Sequence, residues 1–189
     1  MKNLPRLKFA HLPTPVEALP RLQAELGGPH LLVKRDDQTG LAFGGNKTRK
    51  LEFLVAEAQE QGAQTLITAG AVQSNHCRQT AAAAARHGLD CILVLAGDPP
   101  EESSANFLLD RLLGAEIVWA NWETRVDDLQ AAFDQAKQAG RKPYLVPYGG
   151  SNATGAAAYA FALQELIGQH VNPDWIVFPS SSGGTQAGL

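Results

Sequence analysis

The stretch that most constrains this chain is Phe43-Gly44-Gly45-Asn46-Lys47-Thr48-Arg49-Lys50. A glycine pair removes side chains from the backbone just ahead of a helix start that Asn46 is placed to cap. Lys47, Arg49 and Lys50 then fall within the first turn. A helix N-terminus carries partial positive charge and disfavours each cation there by a few tenths to ~1 kcal/mol. An anion at this turn would offset the mismatch, and a phosphate suits it. A lysine in a partly dry pocket beside other cations loses its proton readily and becomes a nucleophilic amine. Phosphate and amine together point to pyridoxal phosphate held as a Schiff base. A solvated basic helix start is the alternative that this stretch alone leaves open.

Around it the chain alternates apolar runs with helical patterns. Residues 1–30 are proline-rich and irregular, and Thr14-Pro15-Val16-Glu17 is expected to open a short helix. Leu31 to Lys34 reads as a buried strand, followed by the charge cluster Lys34-Arg35-Asp36-Asp37, read as structural. The helix from Asn46 places Leu51, Leu54, Val55 and Ala58 on one stripe and stops at Gly62. Strands are expected at 65–69, 91–95, 116–120, 144–147 and 175–178, with helices near 76–87, 103–113, 123–139 and after Asn152. Such alternation means βαβ units on a parallel sheet, which bind ligands beyond the carboxyl ends of the strands. Three loops at those ends carry chemistry, around Ser74, Ser151 and Ser182.

The last loop, Ser182-Gly183-Gly184-Thr185, reads as a phosphate cup: glycines admit backbone amides to the anion and hydroxyls add donors. The helix that should follow is expected to be missing, because the chain stops at Leu189. The sequence therefore reads as the N-terminal part of a longer protein. On its own it is expected to be inactive or poorly soluble, because a sheet edge lies open.

Composition excludes other classes. A net charge of −3 over 189 residues gives no broad basic surface for nucleic acid or an anionic membrane. No apolar run is long enough to span a bilayer, and the first residues lack the apolar core of a signal peptide. Cys77 and Cys91 form no disulfide framework, so a cytoplasmic location is expected. His11, His30, His87 and His170 show no metal-ligand spacing. Cys77 is disfavoured as a nucleophile, because its neighbour His76 points elsewhere on a helix. Ser151 sits in Gly-Gly-Ser-Asn-Ala, which fails the last position of a nucleophile elbow.

With these loops in view the chain resembles the fold-type II pyridoxal phosphate enzymes, of the tryptophan synthase β-subunit kind. More closely it resembles the family of D-cysteine desulfhydrase and 1-aminocyclopropane-1-carboxylate deaminase. The matching stretches are Pro13 to Pro15, Lys34 to Asp37, Gly44 to Phe53, Ala69 to His76, Gly149 to Asn152 and Ser182 to Gly188. The resemblance implies that Lys47 carries the cofactor, that Lys50 and Ser182, Gly183, Gly184 and Thr185 hold its phosphate, and that Asn75 lies near its 3′-oxygen. It implies that Ser74, Asn75 and His76 receive the substrate carboxylate. Ser74 and Asn75 have helix capping as their plain alternative.

The fold this implies is a large cofactor domain, with 1–48 and 165–189 as its parts here, and a smaller α/β domain inserted at 49–164. Relatives of this kind are usually homodimers. The activity implied is α,β-elimination on a sulfur amino acid, first D-cysteine to pyruvate, sulfide and ammonia. Deamination of the cyclopropane acid or L-cysteate sulfo-lysis are the alternatives, along with an inactive fragment or a phosphate-binding module without turnover. His76 leans towards a sulfur substrate, since the deaminases commonly carry Gln at that place.

Overall fold

The structure, a computed structural model, describes residues 4–189. It is built on a four-stranded parallel sheet in the order β5-β4-β3-β6, formed by β3 (Thr65–Ala71), β4 (Asp90–Ala96), β5 (Glu116–Ala120) and β6 (Pro143–Leu145). Thr65 of β3 stands beside Asp90 of β4 and Pro143 of β6. The apolar run of each central strand alternates between two cores, as a pleat requires. Leu66, Cys91, Leu93 and Leu95 face one core with Leu51 and Leu54 of α2 (Lys47–Glu60) and Cys77 and the alanines of α3 (Asn75–Arg86). Ile67, Ala69, Ile92 and Val94 face the other, against Ala132 and Ala136 of α5 (Arg125–Gln138). Both faces are therefore covered, as the continuous apolar runs demand.

α4 (Ala105–Leu112) lies beside α3, and α6 (Ala153–Gly168) packs on α2. The alanine run of α3 lets it sit close on the sheet: Ala81 and Ala83 are fully buried. Gly62, Gly88, Gly114 and Gly140 stand just past helix ends with positive φ, where a side chain would be strained.

Four local expectations need correction. Thr14 to Glu17 do not open a helix: Val16–Ala18 is β1, antiparallel to β2 (Leu32–Lys34), and α1 (Pro20–Leu26) begins only after it, at Pro20. Thr14 Oγ1 is engaged elsewhere, accepting from Arg49 Nη2 at 2.9 Å and donating to Asp36 Oδ1 at 3.0 Å. β2 is not a buried strand, since it pairs only with β1 and leaves Leu32 half exposed. Trp175 to Phe178 are irregular rather than a strand; Trp175 and Val177 are almost wholly exposed. A strand exists by its ladder, and no strand of the described residues pairs with this run. Finally, the turn after the serine loop is already helical as α7 (Gly184–Gly188), where the sequence suggested that nothing would form.

Candidate active site

Backbone strain marks the approach to α2. Ala42, Phe43, Gly44 and Gly45 all have positive φ, and for the two non-glycines this costs of order 1 kcal/mol each. The surroundings hold the strained turn by buried hydrogen bonds. Thr39 Oγ1 accepts from Gly45 N at 2.8 Å, and Arg78 Nη2 donates to Gly44 O at 2.6 Å. Gln79 Oε1 accepts from Thr48 N at 2.7 Å and Thr48 Oγ1 at 2.8 Å, while its Nε2 donates to Asn75 O at 3.0 Å. Gln79 therefore caps α2 from another helix. Asn46, the expected cap, makes no side-chain capping bond and instead accepts from Lys47 Nζ at 3.1 Å.

The three cations of this turn have different fates. Arg49 is buried among carboxylates: its Nη2 lies 2.8 Å from Asp36 Oδ1 and 2.9 Å from Glu165 Oε1. Lys34 joins Glu165 at 2.6 Å, and the Tyr159 hydroxyl donates to Asp36 at 3.0 Å. Burial pushes the Glu165 carboxyl up, but hydrogen bonds from Arg49 and Lys34 outweigh it and bring it down to about 2. So Arg49 has its counter-charge from the protein, which corrects the expectation that all three cations await an external anion and leaves that expectation open for the two lysines.

Lys47 and Lys50 have no carboxylate within ion-pair distance among the described residues. Lys50 is 1% exposed, and its Nζ donates only to Gly149 O, at 3.2 Å. Burial and the Lys47 charge lower its amine to about 8, and burial lowers that of Lys47 as well. Two loops close on this pair, the one after β6 that carries Ser151 and the one around Ser182. Ser151 Oγ meets Ser182 Oγ at 2.6 Å and accepts from Gly184 N at 3.2 Å. The glycines are needed for the approach. A Cβ on Gly149 would collide with Ser182 Oγ, and one on Gly184 would collide with Ser151 Oγ and stand 2.9 Å from Lys50 Nζ. Gly183 holds a left-handed φ of 77°. Thr185 is half-buried on the first turn of α7.

The α3 start forms the remaining side. Ser74 Oγ accepts from His76 N and Cys77 N, both at 3.2 Å, and so caps the helix. Asn75 is exposed at its first position. His76 turns inward: its Nε2 meets Thr68 Oγ1 at 2.8 Å, and its buried Nδ1 has no partner among the described residues. Burial, with the Lys47 and Lys50 charges added, takes its pKa down to about 3, so the ring is neutral. Burial pushes the Cys77 thiol up to about 12, which removes it as a thiolate nucleophile.

The structure thus brings Lys47, Lys50, Ser182 and Gly184 together and sets the α3 loop beside them. Sequence reasoning missed Gln79, Arg78 and Glu165. The available signal for the first two was a run of polar residues, Arg78-Gln79-Thr80, leading an otherwise alanine helix, since buried polar groups need partners.

Comparison with known proteins settles the lineage. A family model described as pyridoxal-phosphate dependent enzyme matches residues 7–189. The chain belongs to that family. It is 44% identical, over its whole length and 60% of the relative's, to a D-cysteine desulfhydrase of Klebsiella pneumoniae (strain 342). A solved structure described as an ACC deaminase homologue superposes with a TM-score of 0.91 at 41% identity, over 98% of this chain and 57% of that one. A hydrogen sulfide-producing enzyme of Fusobacterium nucleatum shares the fold, with a TM-score of 0.65 at 20% identity, over 84% of this chain and 48% of that one. The parallel α/β architecture is accordingly the fold-type II one. The chain spans about three fifths of the length of the curated relative it matches. No helix among the described residues is long and apolar enough to cross a membrane.

The residues fit the family's cofactor on two observations. A buried ammonium without a carboxylate, Lys50, meets the serine-glycine loop where a phosphate needs charge and donors. A second, partly desolvated amine, Lys47, stands beside it with only an amide oxygen as partner.

Proposed function

We propose that this chain carries the cofactor lysine and the phosphate- and carboxylate-binding loops of a pyridoxal phosphate-dependent α,β-elimination on a sulfur amino acid, first D-cysteine to pyruvate, sulfide and ammonia. The observation that carries the reading is the lysine pair: two desolvated amines on one helical turn whose third cation is fully paired. The 44% identical relative named as a D-cysteine desulfhydrase supports the substrate.

Lys47 binds the cofactor through Nζ. Lys50, Ser182, Gly183, Gly184 and Thr185 hold the phosphate with one ammonium, two hydroxyls and loop amides. When bound, the cofactor supplies an electron-accepting ring that stabilises negative charge at the substrate Cα. Once the substrate's amine has displaced it from the cofactor, Lys47 Nζ, kept easy to deprotonate by burial, would take the Cα proton as general base. Ser74 and Asn75, at the start of α3, receive the substrate carboxylate, and the α3 N-terminus favours that charge. Asn75 also serves the cofactor's 3′-oxygen. His76, the third residue of that loop, is buried and neutral, with Nε2 on Thr68 Oγ1 and Nδ1 without a partner among the described residues, and we assign it to the wall of that pocket. Residues 1–48 and 165–189 belong to the cofactor domain, with 49–164 as the inserted one. The working protein is a cytoplasmic homodimer, a placement that the two buried free thiols suit.

Deamination of the cyclopropane acid is the second reading, favoured by the solved relative described as an ACC deaminase homologue. Steady-state turnover of the holoenzyme on D-cysteine, L-cysteate and the cyclopropane acid separates these. Sulfide release from D-cysteine alone is expected. Ammonia from the cyclopropane acid without sulfide from D-cysteine overturns the assignment, and turnover of none with the cofactor bound reduces the chain to a binding module.

A further inference from the structure

The loop ahead of α3 is gripped from a second direction by the start of α4. Ala105 opens α4 with φ at 47°, a left-handed backbone unusual for a residue with a side chain. Asn106, next along, folds onto the loop. Its N–H donates to Gln73 Oε1 at 2.9 Å, and its Nδ2 to Gln73 O at 2.7 Å and Asn75 Oδ1 at 3.1 Å. Its Oδ1 accepts from Arg78 Nη1 at 2.7 Å, and the same nitrogen donates to Asn75 Oδ1 at 3.0 Å.

These partners leave no freedom in either amide. A guanidinium only donates and a main-chain carbonyl only accepts. Asn106 must therefore turn its nitrogen to Gln73 O and its oxygen to Arg78. Asn75 must turn Oδ1 to Arg78, and the Asn106 nitrogen meets that same oxygen. The Asn75 Nδ2 is then pointed away from both and donates to no side chain among the described residues, on a residue that is itself exposed.

We propose that Arg78 and Asn106 are positioning residues that lock the Asn75 amide with its Nδ2 outward, as a hydrogen-bond donor to an anionic oxygen of the bound cofactor or amino acid. This rests on the functional reading above and adds the atom of Asn75 that faces the ligand and the groups that fix it.

The test uses the holoenzyme with Asn106→Ala and Asn106→Asp. Asn106→Ala lets the Asn75 amide rotate. Asn106→Asp keeps the acceptor towards Arg78 but sets a carboxylate oxygen against Asn75 Oδ1, and that repulsion drives the Asn75 amide out of its locked position. If the partner is the cofactor's ring oxygen, the pH midpoint of its visible absorption rises by at least half a unit without substrate, because a donor to an oxyanion favours the deprotonated form. If the partner is the substrate carboxylate, the midpoint stays and KM rises at least tenfold with kcat changed less. Either supports the proposal, provided Asn106→Asp is at least as severe as Asn106→Ala while melting closer to wild type. A midpoint shift below half a unit together with a KM rise below tenfold overturns it. Effects that follow only the melting temperature, with the aspartate milder, also overturn it. A wild-type protein that develops no cofactor absorption fails the functional reading itself, and the proposal falls with it.

Discussion

One helical turn presents two faces of opposite design. On one, Arg49 lies between Asp36 and Glu165, with Lys34, Thr14 and Tyr159 completing the hydrogen bonds. On the other, Lys47 and Lys50 share a glycine-lined corner with no carboxylate. Burial acts on both, but its consequence differs. Where counter-charges are supplied, the charges stay and the region is a structural junction of the N-terminal segment, α2 and α6. Where they are withheld, burial lowers both amines, and the proposed function has an anionic ligand complete the site. The contrast teaches that basic residues one position apart can be bound for different ends, and that the carboxylates, not the cations, tell which.

The largest effect should come from the ligand-seeking face. Lys47→Arg keeps the charge but not an amine that can shed its proton. Turnover of the holoenzyme should fall by at least ~10³-fold, in the range that general-base and nucleophile losses occupy. Borohydride reduction with the cofactor should no longer label this position. Full turnover in the variant would end the assignment of Lys47 and erase the functional half of the comparison.

On the paired face the loss should appear in stability. Arg49→Met leaves Asp36 and Glu165 close together with Lys34 as the remaining cation of the cluster. Removing one partner of a buried network costs about 3 kcal/mol. For a chain of this size that is a fall in Tm of roughly 10 °C. The pH dependence sharpens it. Glu165 is held at about 2, below its ordinary 4.5, so its contribution is full above pH 4.5 and is lost as pH falls towards 2. Thermal melts across that window should steepen in wild type and flatten in Glu165→Gln.

How much of this was legible beforehand follows from range. The runs Leu66-Ile67, Ile92 to Leu95 and Ile117-Val118 announce strands by local composition, and the structure has them where the apolar residues are. The same logic failed at Trp175 to Phe178 and at Val16, because pairing decides a strand and pairing is not local. The lysine motif was readable as anion-seeking from helix electrostatics alone. The separation of Arg49 from its neighbours was not, since its carboxylates stand 13 and 116 positions away along the chain. Likewise Gln79, which caps α2 across 31 positions, carries no mark in its own neighbourhood beyond being polar in an alanine helix.

The smaller effects probe the glycine-lined corner. Gly184→Ala adds a methyl against Ser151 Oγ and 2.9 Å from Lys50 Nζ. Cofactor affinity, read by absorbance titration, should fall about tenfold, the equivalent of ~1.4 kcal/mol. Unchanged affinity would mean that this loop does not face the phosphate.

Lys50→Met separates the two faces most finely because its two readouts move in opposite directions. Without cofactor the protein should melt at or slightly above the wild-type temperature, since a buried ammonium with a single carbonyl partner is replaced by a side chain that loses nothing on burial. With cofactor it should bind more weakly, because the phosphate loses its buried cation. Proton linkage gives a further check. Lys50 is lowered to about 8 from 10.5, so the unfolded chain binds more protons than the folded one between those values. Stability of the cofactor-free protein should therefore rise with pH from about 8 to 10.5, and the variant should lose that part of the slope. A cofactor-free Lys50→Met protein that melts far below wild type would mean that Lys50 is a structural cation like Arg49, and the distinction between the faces would fail.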